Sequence, residues 1–137
     1  MGDEALSGLR QPRLLVVDDE PVLAEFVAHA ARECGYEPTL TSDDREFRDS
    51  FLQERPDAAC LDLGMPGMDG VELLRFLAEQ QYQGPVLIFS GFDRRVLETA
   101  FRLGEALGLK MVGPLEKPVP YEQIEAFLNE LRPTLAL

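Results

Sequence analysis

The chain has 137 residues, 45% of them hydrophobic, so it is long enough to bury one core and suits a single domain. Its 25 acidic residues outnumber its 13 basic residues, which gives a formal net charge of −12. This excess of negative charge argues against binding to the phosphates of nucleic acid and against binding to an anionic membrane surface.

The two ends of the chain carry no pattern of regular structure. Residues 1–12 combine Gly, Ser, Gln and Pro without periodicity, which predicts a disordered N-terminal segment. They lack the apolar core of a signal peptide, and no apolar stretch reaches the length of a membrane span, so we expect a cytoplasmic protein. Pro133 is a stop signal after the last helical pattern. We predict one domain over residues 13–132, with a tail or the start of a linker over residues 133–137.

Short apolar runs alternate with helical patterns between these ends. The predicted strands are Leu14–Val17, Glu37–Thr41, Ala58–Leu61, Val86–Phe89 and Met111–Leu115. Two predicted helices are Pro21–Cys34 and Arg45–Gln53, and three more have apolar stripes that begin at Val71, Val96 and Ile124. Five strands, each followed by a helix, predict a doubly wound α/β fold with a parallel sheet. In such sheets the ligand site lies at the carboxyl ends of the strands.

The cysteines and the histidine do not indicate a metal site. Cys34 and Cys60 are too few for a disulfide framework, and Cys60 lies in an apolar run that predicts burial. His29 is the single histidine and lies in an alanine-rich helical stretch, where we expect it on the surface.

Polar residues follow four of the predicted strands. Each has an ordinary structural explanation, since acidic residues and serines often cap helices and a lone lysine is usually solvated. Together they suggest one pocket, because the first and third strands are neighbours in the flavodoxin-like order 2-1-3-4-5. The residues are Asp18, Asp19 and Glu20 after the first strand, Asp62 after the third, Ser90 after the fourth and Lys117 after the fifth.

Converging carboxylates require positive charge nearby. At an effective dielectric near 20, two unit charges about 4 Å apart repel by about 4 kcal/mol. Mg²⁺ prefers a few carboxylates, a carbonyl and retained waters, and therefore suits a pocket that contains Asp18, Asp19 and Asp62. With Lys117 and the Ser90 hydroxyl nearby, the pocket has a nucleophile, charge neutralisers and donors suited to receive a phosphoryl group.

Four motifs in this order resemble the receiver domains of two-component response regulators. The resemblance runs from about Arg13 to Leu131 and rests on these segments: Val16–Pro21, Leu61–Gly70, Ser90–Gly91 and Lys117–Pro118. It implies the flavodoxin-like fold, with five parallel strands in the order 2-1-3-4-5 and five helices. It also implies a phosphorylation switch rather than a turnover enzyme, with a histidine kinase or a phosphotransfer protein as its partner.

The resemblance assigns a role to each matching residue. Asp62 would be the phosphoacceptor and a ligand of Mg²⁺, which Asp18, Asp19 and the carbonyl of Gly64 would also bind. Asp19 is expected to bind the metal directly, and Asp18 largely through water. Ser90 and Lys117 would contact the phosphoryl oxygens, and Lys117 would bind Asp62 in the resting state. The peptide bond before Pro118 is expected to be cis, and phosphorylation is expected to change the surface around the fourth and fifth helices. Glu20 has the weakest claim, since its charge also suits a helix start.

The sequence departs from the family pattern before the last strand. Pro114 occupies the position of an aromatic residue that usually moves inward on phosphorylation. Phe92 is a candidate substitute, although core or rim packing is the favoured explanation for it. The stretch from Ser90 to Lys117 is longer than usual, which predicts a longer fourth helix or an extra turn. The segments Ala106–Leu109 and Gly113–Pro118 are similar to receivers joined to EAL phosphodiesterase domains, and this suggests such an output.

Three other functions fit this sequence less well than phosphorylation. A pseudo-receiver that only binds proteins would not need the repulsive acid cluster, but the altered aromatic position keeps this alternative open. An aspartyl phosphatase would need a second acid two residues after its nucleophile, where this chain has Gly64. A flavin carrier would need a phosphate-binding loop after the first strand, where Asp18, Asp19 and Glu20 would repel the cofactor.

Overall fold

The computed structural model describes residues 10–64, 70–91 and 94–135. Its strands are β1 (Arg13–Val17), β2 (Glu37–Thr41), β3 (Ala58–Asp62), β4 (Pro85–Ser90) and β5 (Lys110–Glu116). Its α-helices are α1 (Pro21–Glu33), α2 (Asp44–Gln53), α3 (Gly70–Glu79), α4 (Arg94–Ala106) and α5 (Tyr121–Leu131), and a 3-10 turn follows over Arg132–Thr134. Within these ranges, no helix is both long enough and apolar enough to cross a membrane.

The strands form one parallel sheet in the order β2-β1-β3-β4-β5, which confirms the predicted fold. Every residue of β3 is buried, and in β1 and β4 every residue after the first is buried. The edge strands β2 and β5 contain exposed positions. Because helices cover both faces, the central strands need apolar residues on both sides and therefore appear in the sequence as continuous apolar runs.

A hydrophobic cluster lies on each face of the sheet. One cluster joins the sheet to α2, α3 and α4 through residues that include Phe47, Phe51, Leu74, Leu77 and Leu97. The other joins it to α1 and α5 through residues that include Val27, Ala30, Ala31, Ile124 and Leu128. The buried face of α1 is largely alanine, so its backbone can approach the sheet closely.

Two helix boundaries differ by one residue from the prediction. Helix α2 begins one residue earlier, because the Asp43 carboxylate accepts a hydrogen bond of 2.8 Å from the N–H of Glu46 and so caps the helix one residue upstream. Helix α1 ends at Glu33 instead of Cys34. Cys34 is the C-cap, and Gly35 follows with φ of +86°, a conformation that stops the helix.

Strand β5 contains a bulge that the sequence did not predict. Leu87 of β4 pairs with Val112, whereas Phe89 pairs with Leu115, so β5 has one additional residue between these pairs. Gly113 lies there with φ of +90°, and a Cβ atom at this position would lie 2.9 Å from Cδ1 of Leu87. Glycine therefore suits the bulge both in backbone conformation and in space.

The predictions of a buried Cys60 and an exposed His29 are confirmed. Cys34 and Cys60 are buried free thiols, and burial raises the pKa of the Cys60 thiol. His29 is exposed on α1.

An ion pair joins the starts of β1 and β3, at the amino end of the sheet. Asp57 accepts a hydrogen bond of 2.7 Å from the backbone N–H of Arg13 and two from the Arg10 guanidinium, at 2.6 and 2.9 Å. Burial of Asp57 opposes its ionisation, but these donors outweigh that effect and hold its pKa below the ordinary value.

We therefore expect Asp57→Asn to lower the free energy of unfolding by about 1–2 kcal/mol at pH 7, because it removes a charge-assisted pair. Since the folded-state pKa is depressed, Asp57 contributes its full stabilisation above the unfolded pKa of about 4 and loses it as the pH falls through the folded value. The difference between wild type and variant should therefore shrink in acid.

Urea unfolding of both proteins, from neutral pH down to the lowest pH at which they fold, measures this difference. Glu54→Gln is the control, because Glu54 pairs with Arg13 through an exposed carboxylate and should contribute less than about 1 kcal/mol. An Asp57→Asn protein as stable as wild type at pH 7, or a difference that does not change with pH, would contradict this interpretation.

Candidate functional site

The polar residues predicted to form a site lie at the carboxyl ends of four strands. Asp18 directly follows β1, Asp62 is the last residue of β3, Ser90 is the last residue of β4 and Lys117 directly follows β5. Because the strands are parallel and β1, β3, β4 and β5 are successive neighbours, these ends meet at one edge of the sheet.

Four carboxylates are grouped at this edge. Carboxylate oxygens of Asp18, Asp19, Glu20 and Asp62 all lie within 4.8 Å of one another. The side chain of Asp18 is fully buried and that of Asp62 is 3% exposed, whereas Asp19 and Glu20 are exposed. Burial and the neighbouring charge of Asp62 raise the pKa of Asp18, although the N–H of Glu20 and the ammonium of Lys117 oppose this effect.

Lys117 is the cation in contact with this cluster. Its Nζ lies 2.9 Å from Oδ2 of Asp62, 3.1 Å from Oε1 of Glu20 and 3.4 Å from Oδ2 of Asp18. Its side chain is only 13% exposed, and Nζ lies 5.1 Å from the centre of the Phe89 ring. Burial opposes the charge of Lys117, but hydrogen bonds to Asp62 and Glu20 outweigh it and raise the pKa of the lysine.

Local hydrogen bonds fix the two buried aspartates. Oδ1 of Asp62 accepts the N–H of Gly64 at 2.9 Å, while its Oδ2 faces Lys117. Oδ1 of Asp18 accepts the N–H of Glu20 at 2.9 Å, which closes a local turn directly before α1. Within the described residues, the acidic residues after β1 therefore make no side-chain capping bond to α1, and the two buried aspartates belong to the cluster.

The β5 bulge determines how Lys117 enters the site. It sets Glu116 opposite Ser90, and the backbone N–H of Lys117 then donates to the carbonyl of Ser90 at 2.9 Å. A one-residue shift of register exchanges the two faces of a strand, so without the bulge the residues at this end of β5 would exchange faces. The peptide bond between Lys117 and Pro118 is cis, as the resemblance implied.

The structure brings together most of the predicted site residues. Asp18, Asp19, Asp62 and Lys117 lie in one cluster, and Ser90 is buried at the adjacent strand end. Gly64 is next to this cluster through its N–H bond to Asp62.

Of the two positions connected with the missing aromatic residue, the structure describes Pro114 but not Phe92. Pro114 lies half-buried in the β5 bulge, where its fixed ring offers no aromatic side chain to move. Phe92, the candidate substitute, lies outside the described residues, as does the segment 65–69 of the third motif.

Glu20 makes a contact with the lysine of the site that the sequence did not predict. It occupies the N-cap position of α1, but its side chain makes no capping hydrogen bond and contacts Lys117 instead. Its position directly after two aspartates was the available signal. The contact itself joins residues 97 positions apart, which the local pattern does not encode.

A cavity of about 420 Å³ opens beside the cluster, between α1 and the start of α5. Glu20 and Lys117 border it on the side of the acidic cluster, and its other walls are mainly apolar, with Phe26 and Phe89 among them. The charged cluster thus lies next to an apolar recess that reaches the surface.

Comparison with known proteins places this geometry in a family. The family model for the response regulator receiver domain matches residues 14–129. Response regulator MprA of Mycolicibacterium vanbaalenii is 37% identical over 81 residues, which are 59% of this chain and 35% of that protein. The C4-dicarboxylate transport transcriptional regulatory protein DctD of Pseudomonas aeruginosa is 30% identical over 125 residues, 91% of this chain and 25% of that protein. The chain thus spans about a third or less of these relatives.

A solved structure agrees with the sequence comparison. The crystal structure of a response regulator from Colwellia psychrerythraea has a TM-score of 0.76 and 28% identity, and the match covers 90% of this chain and 98% of that one. The strand order, the site at the carboxyl ends of the strands and the family match agree, and the chain belongs to the response regulator receiver domain family.

Proposed function

We propose that Asp62 receives a phosphoryl group from a phosphorylated histidine of a partner, either a histidine kinase or a phosphotransfer protein. The observation that carries this proposal is the contact of 2.9 Å between Oδ2 of Asp62 and Nζ of Lys117, inside a cluster of four carboxylates. A buried carboxylate held beside a lysine can act as a nucleophile while the cation stabilises the incoming negative charge.

The transfer exchanges one bond to phosphorus for another. A carboxylate oxygen of Asp62 forms a bond to the phosphorus as the bond between phosphorus and the histidine nitrogen breaks, and the imidazole leaves with the electron pair. Lys117 already faces the accepting carboxylate and would follow the negative charge onto the phosphoryl oxygens, where the hydroxyl of Ser90 would donate a hydrogen bond. Water later attacks the acyl phosphate, which releases phosphate and restores Asp62.

The donor set fits a hard divalent cation. Among the described residues, four carboxylates lie around the positive charge of Lys117. This part of the site therefore keeps excess negative charge and offers oxygen ligands, which Mg²⁺ prefers. Asp18, Asp19 and Asp62, together with the carbonyl of Gly64, would hold the ion. Bound there, Mg²⁺ would neutralise charge on the carboxylates and on the phosphoryl group.

Phosphorylation would act as a switch rather than as repeated turnover of a substrate. Moving Lys117 and Ser90 toward the phosphoryl oxygens would pull on the ends of β5 and β4, which are joined by the bond from the N–H of Lys117 to the carbonyl of Ser90. The surface around α4, β5 and α5 would then shift between two states.

The output of this switch is a separate question from its chemistry. The relatives named above are longer than this chain, and the name of one describes it as a transcriptional regulatory protein. An attached output domain or a separate effector protein would read the changed surface. An EAL-type phosphodiesterase output stays a prediction from the segments around Gly108 and Pro114.

Wild-type protein incubated with acetyl phosphate and Mg²⁺ should gain the mass of one phosphoryl group, measured on the intact chain. The adduct should be absent from Asp62→Asn, which lacks the accepting carboxylate, and from wild type in EDTA. Asp49→Asn, which neutralises an exposed aspartate of α2, should be phosphorylated like wild type.

Either of two results would contradict the proposal. No adduct on folded wild-type protein would favour a pseudo-receiver that binds partners without phosphorylation. An adduct that persists in Asp62→Asn would place the phosphoacceptor at another residue.

Neutralising Asp18 should separate charge repulsion from metal binding. Without divalent metal, we expect Asp18→Asn to be more stable than wild type by about 1 kcal/mol, because a buried negative charge leaves the cluster. With Mg²⁺, wild type should gain more stability than the variant, since a ligand that binds only the folded state stabilises it more when it binds more tightly.

Thermal unfolding in EDTA and in MgCl₂ measures both effects, with Asp49→Asn as the control for a lost exposed charge. A variant less stable than wild type in EDTA would show that Asp18 is stabilised more by Lys117 than it is destabilised by its neighbours. An equal gain from Mg²⁺ in both proteins would remove Asp18 from the metal site.

A further inference from the structure

Glu20 shares the lysine of the site with Asp62. Oε1 of Glu20 lies 3.1 Å from Nζ of Lys117, almost as close as Oδ2 of Asp62 at 2.9 Å. The side chain of Glu20 is 59% exposed, whereas that of Asp62 is 3% exposed. Glu20 therefore contacts the lysine from the solvent side, while Asp62 contacts it from the interior.

The position of Glu20 is fixed by its backbone. Its N–H donates to Oδ1 of Asp18 at 2.9 Å, and its carbonyl accepts the N–H of Ala24 at 2.9 Å in the first turn of α1. Its carboxylate makes no capping bond that would explain its orientation. The contact with Lys117 is thus its main polar interaction within the described residues, and it holds negative charge on the solvent side of the lysine.

We propose that Glu20 is a specificity-determining residue that makes the site less reactive toward phosphodonors of high negative charge. The inference rests on the proposed function of Asp62 as the phosphoacceptor. The carboxylate of Glu20 offsets part of the positive charge of Lys117 and repels an approaching anion, so a donor with fewer negative charges is favoured. A phosphorylated imidazole that is protonated on its ring carries fewer net negative charges than a small acyl phosphate.

The expected size of the effect follows from Coulomb's law. In water, two unit charges about 4 Å apart interact strongly enough to change an equilibrium or rate constant about fivefold. The value for water applies because Glu20 is more than half exposed. Each additional negative charge on the donor should therefore make the reaction with wild type slower by about twofold to fivefold, relative to a variant without the carboxylate. Salt should reduce this effect, since it screens exposed charges.

Two small phosphodonors of different charge test the proposal. At neutral pH, acetyl phosphate is a dianion, and phosphoramidate carries one net negative charge fewer. With acetyl phosphate, the bond from phosphorus to the bridging oxygen breaks and acetate leaves with the electron pair. With phosphoramidate, the bond from phosphorus to nitrogen breaks and ammonia leaves. Both donors phosphorylate the same oxygen of Asp62, so the ratio of their rate constants reports on donor charge.

We would measure that ratio at low ionic strength for wild type, Glu20→Gln, Glu20→Asp and Glu25→Gln, each at a Mg²⁺ concentration shown to be saturating. Glu25→Gln removes the same charge from a side chain of α1 that is similarly exposed, at 64%. In Glu20→Gln, the ratio of the acetyl phosphate rate to the phosphoramidate rate should rise about twofold to fivefold and return toward the wild-type value in high salt. Glu20→Asp keeps the charge and should stay closer to wild type, and Glu25→Gln should match wild type.

A merely structural role for Glu20 predicts a different result. Damage to the site, or loss of a metal ligand, would change the rates with both donors by the same factor, and this outcome would overturn the proposal. An unchanged ratio in Glu20→Gln would also overturn it, while leaving phosphorylation of Asp62 intact. Failure of both donors to phosphorylate wild type would remove the proposed function and this inference together.

Discussion

The ion pair between Lys117 and Asp62 is the interaction on which the site depends. Parallel strands bring the aspartates after β1 and at the end of β3 to the same edge, where two of the carboxylates are almost fully buried. Such a group of like charges is unfavourable unless a cation lies among them. Lys117 meets this need in the described structure, and the charge it leaves unbalanced is what suits the pocket to a divalent metal and to a phosphoryl group.

The fold supplies the rigidity that this cluster requires. The three central strands are buried almost throughout, so their ends are held by the hydrophobic clusters on both faces. Lys117 comes from the edge strand β5, and the bulge at Gly113 sets the register that directs it into the site. In the proposed switch, a change at the site would reach the surface through the ends of β5 and β4, which the bond from the N–H of Lys117 to the carbonyl of Ser90 joins.

Much of this arrangement could be predicted from the sequence because it depends on local patterns. Continuous apolar runs identified the buried strands. The polar residues at the ends of the strands then gave the candidate site residues Asp18, Asp62, Ser90 and Lys117. The bulge could not be predicted, because it depends on pairing with β4 and not on the residues around Gly113 alone. The contact between Glu20 and Lys117 was not predicted, because an acidic residue directly before a helix already has an ordinary explanation as a helix-start charge. The residues 65–69 and Phe92 lie outside the described structure, so predictions for them stay as predictions.

The most direct test of the central claim is to locate the phosphoryl group on the chain. Protein phosphorylated with acetyl phosphate and Mg²⁺ is treated with borohydride, which reduces an aspartyl phosphate to the corresponding alcohol, and its peptides are sequenced by mass spectrometry. Phosphorylation of Asp62 predicts a single reduced side chain, at position 62. Reduction at a different aspartate, or no reduced residue in a folded and phosphorylated sample, would contradict the assignment of Asp62 as the phosphoacceptor.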